Sequence, residues 1–263
     1  MGIYNSSLTR VQPVFEHLYE RDQSGTSWLL PLLRLASHPN RVPVDFGPGQ
    51  LVEPPRYEFP APPPREFLRF LLTHPDHLSN PAEHVWRKWS ATTQAKRRAL
   101  LSGDRTVQRE GLTLLEEATD LSQRTWWRFE GVTYVDCALF TQSTVVFIEG
   151  KRTEEGPSQE VTWWTGRNQV IRNLECVSEV ARATGRPHAF VIVIVEEDLC
   201  EPGTQRARSI DAITDPSVIA SSLPHLEIQA REQVIGRYVG ATTWQGIVRC
   251  LDLDPAILLA AVQ

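Results

Sequence analysis

Residues 144–148, Thr-Val-Val-Phe-Ile, run straight into Glu149-Gly150-Lys151, and this junction constrains the fold more than any other stretch of the chain. Val145 and Phe147 alternate with Val146 and Ile148, so a strand here is apolar on both faces and needs cover on both, as in the middle of an α/β sandwich. The preceding run, Thr133 to Phe140, is also apolar and β-branched, and the turn-like Thr141-Gln142-Ser143 between the two predicts a hairpin. Period-two alternation puts Glu149 and Lys151 on one face with only Gly150 between them, and Asp136 on the first strand can lie across from them. A carboxylate and an ammonium at the end of a buried strand lose much of their solvation unless something compensates. A metal ion with a phosphate is one such compensation; an ordinary ion pair of Lys151 with Glu149 or Asp136 is the other.

The flanking pattern predicts the rest of the architecture. Val11, Val14, Phe15 and Leu18 fall at helical spacing, and Trp28 to Leu35 forms a second apolar segment, so residues 1–38 read as an N-terminal helical region. Nine of the nineteen prolines fall in residues 39–64. Proline fixes φ and removes a donor, so this stretch reads as an extended strap or linker, with Phe46, Leu51, Tyr57 and Phe59 as anchors for a strap. Residues 65–263 then form the main α/β domain. Within it, helices are expected over Pro81–Leu101 and Asp104–Asp120, and a short strand over Trp126–Glu130. The hairpin and a polar loop, Thr153–Gln159, follow. A crossover helix from Thr165 or Gly166 to about Ala183 and a buried strand, Ala189–Val195, complete an α-β-β-β-α-β order, which makes a mixed sheet with helices on both faces. The chain closes with helices, one of them started by a Thr242-Thr-Trp-Gln245 capping box.

Composition excludes some classes. No apolar run reaches the ~18 residues of a membrane span, and the four cysteines are widely separated with no CxxC, Cys137 and Cys176 lying in apolar patterns, so core thiols are expected. A reducing, cytoplasmic setting is expected, with no membrane partner. The net charge of −5 argues against indiscriminate coating of nucleic acid. It is unevenly spread: His84–Arg109 holds seven basic residues against one acid, a net +6 that leaves −11 on the remainder. This stripe, interleaved with Trp86 and Trp89, reads either as a phosphate-binding surface through Lys96, Arg97 and Arg98 or as a solvated helix face. Arg152, Arg167 and Arg172 are the alternative phosphate contacts.

The order of elements, with Val135-Asp136, twelve intervening residues and Glu149-Gly150-Lys151, resembles the PD-(D/E)xK nuclease superfamily over roughly residues 104–200. Val135 stands where the motif's proline would be. The resemblance implies a restriction-endonuclease-like fold and divalent metal, Mg2+ or Mn2+, bound by Asp136 and Glu149, with Lys151 beside the attacking water. It also suggests Glu117 on the first core helix and Gln169 on the crossover helix as outer catalytic positions. The Gly150 carbonyl is suitably placed as a further metal ligand. The function so implied is metal-dependent hydrolysis of phosphodiester bonds, of DNA in the first instance, with homodimerisation left open. The alternative is a non-catalytic module of the same fold that binds nucleic acid or a protein.

Overall fold

The computed structural model describes residues 6–37, 41–151, 162–197 and 205–259. Its centre is a five-stranded sheet in which sequence order equals spatial order: β1 (Arg56–Ala61), β2 (Thr133–Phe140), β3 (Thr144–Gly150), β4 (His188–Val195) and β5 (Tyr238–Thr243). The first three strands form an antiparallel meander, and β3, β4 and β5 run parallel. The sheet is therefore mixed, as the sequence predicts. β3 lies in its middle and is buried along its whole length.

Both faces of β3 are covered because both of its parities are apolar. Val146 and Ile148, with Cys137, Leu139 and Ile192, pack in one cluster with residues of α1 (Gln12–Arg21), α2 (Leu29–Ala36) and the C-terminal Trp244. Val145 and Phe147 pack in a second cluster with Val170, Leu174 and Val177. The N-terminal helices thus share a core with the strands. Helices α3 (Arg65–Thr73), α4 (Glu83–Trp86), α5 (Ala91–Leu101) and α6 (Arg105–Glu117) build a third cluster around Phe67, Leu71, Leu100, Leu115 and Trp163. The crossover helix α7 (Gln169–Ala183) is capped by Asn168, whose side chain accepts from the amides of Val170 and Ile171. Helices α8 (Gln205–Asp211), α9 (Pro216–Ser222) and α10 (Ile228–Ile235) lead to β5, and α11 (Trp244–Cys250) follows it. Among the described residues no helix is long and apolar enough to cross a membrane.

The structure corrects three expectations. Trp126–Glu130 is not a strand: the Arg97 side chain donates to the carbonyls of Trp126 (2.8 Å) and Arg128 (2.9 Å), which takes up acceptors that a neighbouring strand would need. The third strand of the meander comes instead from the proline-rich strap. β1 is an edge strand, where Pro60 opposite Tyr134 costs the sheet no second neighbour. Between α6 and α7 the order is therefore only β-β. Finally, the C-terminal region is not all helical, because β5 extends the sheet beside β4. The predicted capping box is displaced by one residue, with Thr243 accepting from the Gly246 amide and Gln245 donating to Glu196.

Phe46 is buried, and Phe59 packs against Phe140 and Phe147 at centroid distances of 5.4 and 5.8 Å. The hydroxyls of Ser143 and Thr144 both donate to the Pro48 carbonyl, which ties the strap to the hairpin turn. Limited proteolysis of the native protein is accordingly expected to spare residues 41–64; preferential early cleavage there would show that the strap is a free linker.

Candidate active site

The hairpin register fixes the centre of the site. Cys137 pairs with Ile148 across β2 and β3, so one step outward Asp136 stands opposite Glu149. Glu149, alternating with Val145 and Phe147, turns towards α7 and is 1% exposed. Its Oε1 accepts from Lys151 Nζ at 2.6 Å and from Gln169 Nε2 at 2.8 Å, and its Oε2 accepts from Asn173 Nδ2 at 3.0 Å. Asp136 Oδ2 accepts the Gly150 amide at 2.7 Å. The sequence thus brings Asp136, Glu149, Gly150, Lys151 and Gln169 together as expected.

The two carboxylates do not sit comfortably. Burial, followed by the charge of Glu149, pushes the Asp136 carboxyl up to about 8; Lys151 and the Gly150 amide oppose the shift without cancelling it. Glu58 adds to the upward push. It lies on β1 between Tyr57 and Phe59, whose partners are Cys137 and Val135, and so faces Asp136 across the sheet edge. Its φ of 46° is a left-handed conformation that glutamate seldom adopts.

Local packing explains why the residue between Glu149 and Lys151 is glycine. A Cβ at Gly150 would lie 2.5 Å from Val11 Cγ2 and 3.0 Å from the Trp244 ring. Val11 ends a short π-helical turn, Ser7–Val11, that brings the N-terminus against this strand end. Two helix positions complete the setting of Glu149. Gln169 and Asn173 are four residues apart on α7 and so project on one side, and Asn173 Oδ1 also accepts from Thr133 Oγ1 at 3.1 Å.

Sequence reasoning missed Asn173 and Glu58. The four-residue spacing from Gln169 could have pointed to Asn173, a polar residue inside an apolar stripe. Glu58 could not have been found without knowing that the strap supplies β1.

Other expected positions do not join this centre. Glu117 is exposed at the end of α6, and its neighbour Glu116 is paired with Arg69, so α6 brings no carboxylate to the hairpin. Arg167 cannot reach a phosphate backbone: it is fully buried, ion-paired to Glu130 at 2.9 Å and Glu175 at 2.7 Å, and placed over the Phe67 ring at 3.9 Å. Burial works against its charge, but the two glutamates outweigh burial and hold the guanidinium above its ordinary range. Arg172 pairs with Glu130 at 3.4 Å and donates to the Gly131 carbonyl. Arg97 is buried among aromatic rings and backbone carbonyls. Its place in a phosphate-binding stripe is corrected for the same reason: it is buried, with Nε and Nη2 donating to main-chain carbonyls. Lys96 pairs with Glu110. Arg98 is exposed, over the Trp86 ring at 4.6 Å and 3.7 Å from Glu83. Arg152 and the loop Thr153–Gln159 lie outside the described residues.

Compared with known proteins, the chain matches no family model, no curated protein and no solved structure at a significant level.

The Asp136 shift gives a signed stability prediction. A carboxyl whose folded pKa is raised from 3.8 to about 8 contributes full stability below the unfolded value and loses it as pH rises towards and through 8. In metal-free buffer Asp136→Asn should therefore gain on the wild type progressively between pH 4 and 8. Parallel denaturation curves across that range, with no divergence, would contradict the raised pKa.

Proposed function

We propose that the protein is a metal-dependent nuclease with a restriction-endonuclease-like core, acting on DNA. The observation that carries this reading is the pair Asp136 and Glu149, two carboxylates held opposite one another at a strand end although burial and then the charge of Glu149 drive Asp136 towards protonation. A divalent cation relieves that repulsion, and the donor set is chemically suited to one. Carboxylate oxygens are hard ligands, and Asp136 Oδ1 has no hydrogen-bond donor among the described residues. Glu149 Oε2, which accepts only from Asn173 among the described residues, keeps a second lone pair, whereas Oε1 already accepts from both Lys151 and Gln169. No three His, Cys, Asp or Glu side chains cluster as a metal site among the described residues. The ligand set would thus be Asp136, Glu149, water and a main-chain carbonyl, for which Gly150 is the candidate, and magnesium commonly keeps several waters.

Mg2+ or Mn2+ bound there would supply Lewis-acid activation of the phosphodiester and of water. The chain's own residues would do the rest. Lys151, anchored on Glu149, holds an ammonium beside the reacting phosphate, where it orients the attacking water and offsets the charge that develops on the phosphoryl oxygens. Gln169 and Asn173 restrain the Glu149 carboxylate in one orientation, and the Gly150 amide does the same for Asp136. The meander of β1–β3 and the crossover through α7 to β4 support the same family reading.

One observation favours the second reading, a non-catalytic module. Lys151 already neutralises Glu149 at 2.6 Å, so the ion pair alone could justify the buried acid. Melting curves with and without Mg2+, beside plasmid-nicking and single-strand cleavage assays, separate the two. The nuclease reading expects Mg2+ to raise the melting temperature of the wild type and not of Asp136→Asn or Glu149→Gln, with cleavage lost in both. Lys151→Ala should keep the metal-dependent shift while cleavage falls at least a hundredfold, about 3 kcal/mol of barrier. No shift with metal and no cleavage, with all three substitutions destabilising the fold, would establish the ion-pair module instead.

A further inference from the structure

A cavity of about 640 Å3 opens between the start of α5, the segment 124–131 and Thr162–Trp163. Its lining is basic and aromatic: Lys88, Lys96, Arg97, Arg124 and Arg128 contribute cations, and among the described lining residues none is acidic. Lys96 and Arg97 are already engaged, as described above. Lys88 and Arg124 are exposed and have no ion pair among the described residues. Among the described residues Arg128 donates to the backbone carbonyls of Leu121 and Ser122, and the charge of Asp120 acts on it favourably. Burial and then the charge of Arg124 push the Arg128 guanidinium down, and burial and then Arg128 push Arg97 down to about 10. Such a group of like charges is relieved by an anion.

The aromatic side of the cavity is equally specific. Trp89 and Trp163 stack at 5.2 Å between centroids and 25° between planes, and the Arg97 guanidinium lies 4.3 Å from the first ring and 5.1 Å from the second. A ligand that satisfies these features needs an anionic group and a flat π-face. A nucleotide unit has both, and its base can enter a cavity of this kind only when it is unstacked from a duplex.

The cavity is also joined to the carboxylate pair. Its rim residue Gly131 accepts from Arg172, the neighbour of Asn173, which holds Glu149. The five residue-to-residue steps from Gly131 to Asp136 span at most about 18 Å of extended chain. We propose that this cavity is a nucleotide-binding subsite on the substrate path, which takes one unstacked base and its phosphate from single-stranded nucleic acid. Its place on the substrate path rests on the nuclease reading; the binding itself does not.

The test is therefore run first without metal. A fluorescein-labelled twelve-residue oligothymidylate is titrated with the protein in EDTA and followed by anisotropy and tryptophan quenching. Blunt duplex of the same length, thymidine 5′-phosphate and inorganic phosphate serve as competitors. The subsite predicts binding with tryptophan quenching, competition by duplex at least tenfold weaker, and at least tenfold loss of affinity in the Lys88→Glu, Arg124→Glu double variant at unchanged melting temperature. Absence of binding, binding indifferent to the double variant, or equal competition by duplex would overturn it. So would competition by thymidine 5′-phosphate as strong as that of the oligonucleotide, because the site would then serve free nucleotides. Metal-dependent single-strand cleavage unaffected by the double variant would overturn the cavity's place on the substrate path and leave the nuclease reading standing. Variant-sensitive oligonucleotide binding without any metal-dependent cleavage would support the nucleotide site and remove the nuclease reading.

Discussion

Two carboxylates facing each other at the end of a buried hairpin are the constraint on which the rest of the site depends. The pairing of Cys137 with Ile148 leaves Asp136 nowhere to go but opposite Glu149, and the turn between the strands, closed by the Thr141 amide on the Thr144 carbonyl at 2.9 Å, holds that register. Every nearby feature serves to hold this arrangement. Lys151, Gln169 and Asn173 supply three donors to Glu149, and the Gly150 amide supplies one to Asp136. The missing Cβ of Gly150 lets Val11 and Trp244 close over the strand end. These donors cost ordering entropy and still leave Asp136 with a raised pKa, which is an expensive arrangement for a purely structural element and a suitable one for a cation site.

A second buried electrostatic knot positions the helical lobe against the sheet. Arg167, just before α7, reaches Glu130 ahead of β2, Glu175 on α7 and the carbonyl of Ser222 on α9, and rests on Phe67 of α3. His225 completes it by bonding Glu175 at 2.7 Å. Charges removed from water in this way stabilise little in net terms, but breaking any one of them strands the others, so the geometry they specify is sharply held. The knot orients the start of α7, which is where Gln169 and Asn173 must be placed for Glu149.

The parts of this structure that were legible in the sequence are those whose physics is local. The two apolar parities of Val145–Ile148, the alternation that puts Glu149 and Lys151 on one face, and the apolar stripe of α7 all follow from residue spacing, and each is found in place. β1 was not legible because six residues among so many prolines carry no strand pattern of their own; only β2, with an unfilled edge, makes them a strand. Arg97 and Arg167 read as surface cations because the rings and glutamates that absorb them are distant in sequence. Trp126–Glu130 failed as a strand because its carbonyls are claimed by Arg97, a contact that no local pattern reveals.

The central claim is that Asp136 is held at a raised pKa by burial and then by the charge of Glu149, in a state that a divalent cation relieves. Selective carboxyl 13C labelling of aspartate, with Asp136→Asn used for assignment, permits its titration to be followed directly by NMR with and without Mg2+. The account predicts a midpoint near 8 without metal and a fall well into the ordinary carboxylate range when Mg2+ is added. A midpoint close to 4 in metal-free protein, or one that Mg2+ leaves unmoved, would contradict it.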